Sequence, residues 1–142
     1  MEHILSLSYG KDSLACLGAV EQLGWPLDRI LHVEIWATDT IPADLPPMME
    51  FKAHVDQTVK ERWGVEVEHV RAPYTYEDYF YQRTTKGKYE GRIHGFPMTH
   101  KRKAWCNKRL KIEVLQKYAK HGIWYLGIAA DEPQRFGDLS ET

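Results

Sequence analysis

Cysteine is scarce in this chain, which has only Cys16 and Cys106 among its 142 residues. Two cysteines are too few for a disulfide framework or a four-cysteine metal site. No run approaches the roughly 18 apolar residues that a membrane-spanning helix needs, and the start, Met1-Glu2-His3, lacks the basic region of a signal peptide. We therefore expect a cytoplasmic protein with no membrane partner.

The chain also lacks a strong net charge and several well-known motifs. Its formal net charge is −1, which gives no global attraction to nucleic acid or to anionic lipid. The seven histidines show neither H-x-x-x-H nor H-E-x-x-H spacing, so we expect no zinc site. Neither G-x-x-x-x-G-K-[ST] nor G-x-G-x-x-G occurs, which excludes the two commonest nucleotide fingerprints.

Apolar patterning alternates between strand-like and helix-like segments. It predicts strands at residues 4–7, 30–36, 65–70 and 123–128, and helices at residues 13–23, 48–63, 74–83 and 106–120. This order predicts an α/β fold, a doubly wound and mostly parallel sheet with helices on both faces, lacking the last strand of a five-stranded sheet. We expect a single domain over residues 1–142, with a basic and aromatic loop insertion at about residues 84–104.

The most informative segment joins the first predicted strand to the first predicted helix; we call it the 8–13 loop. Its sequence is Ser8-Tyr9-Gly10-Lys11-Asp12-Ser13. A loop at such a junction directs free backbone N–H groups and the positive end of the helix dipole at one spot, which suits phosphate. Gly10 allows close backbone approach, Lys11 adds positive charge and the serines add hydroxyl donors. The loop predicts nucleotide binding; the alternative is an ordinary polar turn capped by Ser or Asp.

Two further segments should converge on the same edge of the sheet, because ligands of open α/β sheets bind outside the carboxyl ends of the strands. After the second predicted strand come Trp36, Thr38, Asp39 and Thr40, and after the fourth come Gly127, Glu132 and Arg135. For Asp39, a turn or a helix cap is as good an interpretation as a ligand role. Glu132 and Arg135 are spaced to pair with each other across a helical turn.

A cluster of basic residues precedes and enters the last predicted helix. Buried beside a cleft, these cations could clamp a distant phosphate or sulfate, and the alternative is a solvated basic loop. Tyrosines at positions 74, 76, 79, 81 and 89 lie nearby in the sequence, and aromatic residues interleaved with basic ones can also bind single-stranded nucleic acid. The cations that we single out are Lys103, Lys108, Arg109 and Lys111.

Taken together, the segments resemble the phosphoadenosine phosphosulfate (PAPS) reductase family of the PP-loop superfamily, whose fold is the adenine nucleotide alpha hydrolase-like one. The matching features, in order, are S-x-G-K-D-S from Ser8, the pair Asp39-Thr40, C-x-x-x-L-K from Cys106, and Leu126-Gly127-Ile128 followed by E-x-x-R. They span almost the whole chain. Tyr9 departs from the family pattern, which usually has glycine at that position.

The resemblance implies an adenine nucleotide, either ATP or PAPS, as the ligand. The 8–13 loop would hold its phosphates through backbone N–H groups, Ser8, Lys11 and Ser13, and residues 36–40 would lie against the adenosine. Asp12 would order the loop or hold Mg²⁺ when ATP is used. Lys11, Asp12 and Arg135 would be the catalytic residues, with Arg135 as the second cation facing the phosphates.

The reaction stays open at this stage. A sulfonucleotide reductase, an oxidoreductase of sulfur metabolism, needs a cysteine nucleophile, which the family carries in a C-terminal E-C-G-x-H-type tail; some members hold an iron–sulfur cluster on paired cysteines. Neither feature occurs here, so we expect no iron–sulfur cluster. Cys106 opens a helix among cations and is the candidate reactive thiol, although single cysteines are more often small buried hydrophobes.

Two alternatives do not need that cysteine tail. An ATP pyrophosphatase would adenylate a second substrate, as in the transferases of sulfur-transfer or nucleic-acid-modification systems, and would need a protein partner or a further C-terminal segment to complete the site. The other alternative is a catalytically inactive module that senses nucleotide or binds single-stranded nucleic acid.

Overall fold

A computed structural model describes residues 1–97, 104–118 and 121–131. Its strands form one four-stranded sheet in the order β3-β2-β1-β4, in which β1 pairs in parallel with both β2 and β4. This confirms the predicted α/β class with a parallel sheet flanked by helices, a Rossmann-like arrangement. The elements are β1 (Glu2–Ser6), α1 (Lys11–Leu23), β2 (Arg29–Glu34), α2 (Pro46–Trp63), β3 (Val67–Arg71), α3 (Tyr76–Tyr81), α4 (Trp105–Asn107), α5 (Glu113–Tyr118) and β4 (Gly122–Tyr125).

The strand order contains the reversal that characterises a doubly wound sheet. From β1 the chain moves outward through β2 to β3 and then returns to add β4 on the other side of β1. Leu5 pairs with Ile30 of β2 on one side and with Tyr125 of β4 on the other. The carboxyl ends of β1 and β4 therefore flank the point at which the strand order reverses.

Local signals explain several of the element boundaries. Gly24 ends α1 with φ 65°, a conformation that glycine adopts without steric cost. Its N–H donates to the Glu21 carbonyl. Thr75 begins α3 with a capping box: its hydroxyl accepts from Asp78 N–H, and the Asp78 carboxylate accepts from Thr75 N–H.

Some predicted boundaries were wrong. The strand predicted at residues 30–36 ends at Glu34, and Trp36 instead forms an isolated antiparallel bridge with Pro42. The fourth strand ends at Tyr125 rather than at residue 128. The last helix is interrupted by a π-helical turn, Lys108–Ile112, between α4 and α5, a wider coil that apolar periodicity does not signal.

The first part of the predicted loop insertion contains a hairpin-like turn. Residues 82–94 form a hairpin-like turn in which Arg83 bridges Ile93 in antiparallel fashion. Thr84 N–H donates to the Arg92 carbonyl at 2.8 Å, and His94 N–H donates to the Gln82 carbonyl at 2.9 Å. The end of the insertion, residues 98–103, lies outside the described residues.

The described residues divide into two compact units. The first contains residues 1–32, 52–68 and 121–131, and its core is built from β1, β2, α1 and α2. Leu5 and Ile30 are fully buried there, because central strands of a parallel sheet are covered on both faces. The prediction of a single domain stays a prediction.

The second unit contains residues 33–51, 69–97 and 104–118. Its core joins Val33, Ala72, Leu110 and Val114, with Trp105 and Cys106 packed against them. Within the part of the chain that the structure describes, no helix has both the length and the apolar character needed to cross a membrane.

Candidate functional site

The 8–13 loop is closed by the hydroxyl of Ser13. This buried Oγ donates to the Gly10 carbonyl at 3.1 Å and lies 3.2 Å from the Ser8 N–H and 3.0 Å from the Ser8 Oγ, both of which donate to it. Ser13 therefore shapes the loop from inside, and Ser8 and Lys11 are the exposed side chains of the predicted phosphate-binding set.

Tyr9 occupies the left-handed region of backbone space, with φ 61°, and is the one non-glycine residue with positive φ among the described residues. That conformation costs an L-residue about 1–2 kcal/mol. The Tyr9 side chain offsets this cost because it is buried: its hydroxyl donates to the Asp56 carboxylate and its ring meets His32 edge-on at 4.6 Å between centroids. The tyrosine thus adopts a backbone conformation that glycine usually supplies.

The buried residues beneath Tyr9 form a connected polar chain that sequence reasoning missed. His32 Nδ1 lies 2.8 Å from the Leu7 carbonyl, and His32 Nε2 lies 2.8 Å from the Lys52 ammonium. A carbonyl can only accept and an ammonium can only donate, so Nδ1 carries the proton and Nε2 accepts, which defines a neutral imidazole. Lys52 also lies over the Tyr9 ring, 5.2 Å from its centroid. Its spacing in the sequence could have indicated that Lys52 is buried, because Lys52 falls on the same face of α2 as the buried Val55 and Val59.

The first turn of α1 has no side-chain cap. Its N-cap residue is Gly10, which has no side chain to accept from the N–H groups of the first turn, and those groups have no partners within the helix. The side chain of Lys11 is 87% exposed, and its ammonium lies 3.2 Å from Asp12 Oδ1. The helix start thus combines N–H donors, a partial positive charge and a mobile cation.

Gly127 lies against this same helix start. A Cβ built on Gly127 would come within 2.5 Å of Asp12 C and Ser13 N, and within 2.6 Å of Asp12 O. Only a residue without a side chain allows this contact between two backbones. The structure therefore brings together two of the predicted segments, the 8–13 loop and the residues after β4.

The predicted segment after β2, residues 36–40, belongs to the second unit, and several of its side chains make contacts with nearby residues. The Trp36 indole N–H donates to Glu34 at 3.0 Å, and the Arg71 guanidinium lies 4.9 Å from the Trp36 ring centroid. Thr38 Oγ1 accepts from the N–H of Ile41 at 3.1 Å. Trp36 and the exposed Asp39 line a cavity of about 30 Å³, which has space for about two water molecules and not for a nucleoside base. Thr40 is exposed on the same turn.

Three of the four predicted cations of the basic cluster lie on the π-helical turn. Lys108 and Lys111 are exposed, whereas Arg109 is half-buried and its Nη1 lies 2.6 Å from Glu113 Oε1. A hydrogen bond to Tyr79 is the main cause that raises the pKa of the Arg109 guanidinium. Lys103, Glu132 and Arg135 lie outside the described residues.

The two cysteines are both partly buried. The pKa of the Cys16 thiol is raised, first by burial and then by the negative charge of Asp12. Cys106 packs against the second core, beside Leu110 and Val114. Burial among apolar side chains is the arrangement of a structural cysteine rather than of a reactive one.

Among the described residues, no three His, Cys, Asp or Glu side chains form a group that could hold a metal ion. This matters little for Mg²⁺, which commonly binds one or two carboxylates together with the phosphates of a nucleotide. Asp12, at the start of α1, is the carboxylate that fits such a role.

Comparison of the chain with protein-family models, with curated proteins and with solved structures gave no match. The fold class thus follows from the structure, and the family stays a prediction from the residues quoted above.

Proposed function

We propose that the chain binds the phosphate groups of an adenine nucleotide at the 8–13 loop, as a PP-loop domain of the PAPS reductase type. The observation that carries the proposal is the position of this loop. It leaves the carboxyl end of β1, next to β4, where the strand order reverses. Open α/β sheets bind their ligands at such a reversal point.

The chemistry of the loop supports a phosphate rather than a neutral ligand. The first turn of α1 presents N–H groups that Gly10 leaves uncapped, and its macrodipole adds about half a positive charge. Lys11 has an exposed ammonium that can move from Asp12 to a phosphate oxygen. Gly127 keeps the helix start close to the residues after β4, so that both approach the same ligand.

ATP is the ligand that we favour over a sulfonucleotide. Reduction of a sulfonucleotide requires a thiolate, and the raised pKa of Cys16 and the packing of Cys106 in a core both oppose that role. Adenylation requires no thiolate: a nucleophile of the second substrate bonds to the α-phosphorus, pyrophosphate leaves, and the protein positions the phosphates and balances their charge with a cation. Asp12 would hold Mg²⁺ against the phosphates, and Lys11 would balance charge on them.

The test is a titration of the full chain with ATP·Mg²⁺, PAPS, adenosine 3′,5′-bisphosphate and GTP, followed by thermal unfolding and calorimetry. At about a hundred times its Kd, a ligand raises the free energy of unfolding by roughly 2.7 kcal/mol. We expect stabilisation by ATP·Mg²⁺ and weakening of its binding by about tenfold or more in Lys11→Ala, which removes a charge-assisted contact.

Lys60→Ala is the matched control, because Lys60 is also an exposed lysine of the first unit but pairs with Glu66 at the far end of α2. It should bind ATP·Mg²⁺ as the unmodified chain does. Equal affinity in Lys11→Ala and Lys60→Ala would contradict the assignment of the loop. Stabilisation by PAPS and the bisphosphate alone would favour the reductase lineage instead.

A further inference from the structure

A second candidate site lies in the second unit, away from the 8–13 loop in sequence and built from other residues. It is a cavity of about 430 Å³, within the size range of small-molecule sites. Its polar lining comes from the hairpin-like turn and from the π-helical turn. The lining residues that matter here are Arg83, Thr84, Thr85, Lys86, His94 and Arg109.

Backbone hydrogen bonds hold the hairpin side of this cavity. Gly91 N–H donates to the Thr84 carbonyl at 2.8 Å, and the Arg83 guanidinium donates to the Gly91 carbonyl at 2.6 Å. Gly91 has φ 82°, a conformation that the turn needs and that glycine supplies. Arg83 and Lys86 are therefore presented from a defined turn.

Packed aromatic residues form another part of the lining. The Tyr79 ring stacks on His94 with 4.5 Å between centroids and 16° between planes. Tyr79 also contacts Trp105 with 4.6 Å between ring centroids, and both Tyr79 and Arg109 line the cavity. Arg109 thus faces the cavity from a wall whose side chains restrain one another.

The charge of the cavity is unbalanced. Glu113 compensates Arg109, whereas Arg83 bonds to a neutral carbonyl and Lys86 has no ion-pair partner among the described residues. No carboxylate occurs among the lining residues that the structure describes. About two positive charges therefore remain uncompensated, which matches a phosphate monoester at neutral pH, with its charge of about −1.5 to −2.

The neighbouring cavity argues against a long polyanion. It shares Tyr74, Tyr79 and Gln82 with the cavity of about 430 Å³, and it is also lined by Glu77 and Asp78. These carboxylates would repel a chain of phosphates that continued past the first one. We propose that the cavity of about 430 Å³ binds a small phosphate monoester, with the phosphate between Arg83, Lys86 and Arg109.

The experiment compares phenyl phosphate with phenyl sulfate, two probes of similar shape that differ in charge, by calorimetry and NMR titration of the full chain. We expect phenyl phosphate to bind more tightly than phenyl sulfate and to bind about tenfold more weakly to Lys86→Ala. Lys88→Ala is the matched control, because Lys88 lies on the same turn and contacts the Tyr89 ring instead. It should bind phenyl phosphate with unchanged affinity.

Three results would overturn the proposal. Equal binding of the two probes would show that charge does not select the ligand. Equal weakening in Lys86→Ala and Lys88→Ala would indicate a diffuse electrostatic surface without a defined site. Tighter binding of an unphosphorylated oligothymidylate, with a steep dependence on salt, would replace the cavity by a surface for single-stranded nucleic acid.

Discussion

Tyr9 and Asp56 are 47 positions apart, and the hydroxyl of the first donates a hydrogen bond to the carboxylate of the second. This bond ties the 8–13 loop to helix α2. It is made by the residue whose backbone has φ 61°, so the side chain stabilises a turn that the backbone alone disfavours. The shape of the loop therefore depends on a buried contact with a distant helix.

Substitutions of Tyr9 should separate the side-chain contribution from the backbone strain. Tyr9→Phe keeps the ring but loses a hydrogen bond to a charged group, and it should lower the free energy of unfolding by about 1–3 kcal/mol. Tyr9→Gly relieves about 1–2 kcal/mol of strain but removes a buried aromatic ring, a change that costs about 3–5 kcal/mol. Urea unfolding should therefore rank Tyr9→Gly as the less stable variant. A Tyr9→Gly variant more stable than the unmodified chain would contradict this account of the turn.

Gly127→Ala should damage the helix start rather than the sheet. The new Cβ would meet the backbone of Asp12 and Ser13 at 2.5 Å, so the first turn of α1 must move. We expect destabilisation of about 1–3 kcal/mol, as for other overpacked sites, together with weaker ATP·Mg²⁺ binding. Thermal unfolding and calorimetry on the same variant would measure the two effects.

Gly18→Ala is the control for that experiment. Gly18 lies within α1 and has nothing within 4 Å of an added Cβ. Alanine is favoured over glycine inside a helix by about 1 kcal/mol, so this variant should be slightly more stable and bind nucleotide normally. Similar losses in both glycine variants would mean that an added methyl group destabilises the chain at either position, and would contradict a specific role for the contact between Gly127 and the start of α1.

The ion pair between Arg29 and Glu68 should contribute to stability in a pH-dependent way. The Arg29 guanidinium approaches both Glu68 oxygens at 2.9 Å, and this hydrogen bonding lowers the pKa of Glu68 below its ordinary value. A lowered folded-state pKa adds stability above the unfolded pKa, which is about 4.3, and that stability is lost as the pH falls through the folded value.

Glu68→Gln should therefore unfold more easily at pH 7 and lose stability less steeply between about pH 5 and 3. Glu68 is partly exposed, so solvent screening limits the loss at pH 7 to about 0.2–1 kcal/mol. A double-mutant cycle with Arg29→Gln isolates the coupling. A coupling of zero at pH 7, or one that grows as the pH falls, would contradict the interpretation.

Cys16 should react slowly with alkylating reagents. Burial and the charge of Asp12 raise its pKa, so less thiolate is present at neutral pH than for a free cysteine. In a Cys106→Ser background, iodoacetamide labelling at pH 8 should be slower than that of a small-molecule thiol. Asp12→Asn should speed it modestly, since it removes the smaller of the two causes. Labelling as fast as that of the free thiol would refute the prediction.

Much of the fold could be predicted from local patterns. The alternation of strands and helices, the glycine that ends α1 and the position of the 8–13 loop follow from periodicity and turn residues that act over a few positions. The π-helical turn at Lys108–Ile112 could not be predicted, because a wider helical turn carries the same apolar residues as an ordinary one.

The sequence predicted which residue types lie in the candidate site, but not how their side chains are oriented or buried. Residue types identify Lys11 as a cation beside a helix start, and the resemblance to a known loop identifies the phosphate as its expected ligand. The role of Ser13 depends on which way its hydroxyl points, and it points into the loop. Lys52 is buried although lysine is usually exposed, because His32 and the Tyr9 ring receive its ammonium.

By itself the sequence determined the order of strands and helices and the parallel α/β class, and it predicts the loop that we propose as a phosphate site. Each of these depends on residues close together in the chain. Only the tertiary structure decided that Tyr9 adopts a glycine-like turn, that Gly127 lies against the start of α1, and that Arg83, Lys86 and Arg109 share a cavity. These relationships join residues that are distant in sequence, and packing between complete elements sets them, which no local pattern encodes.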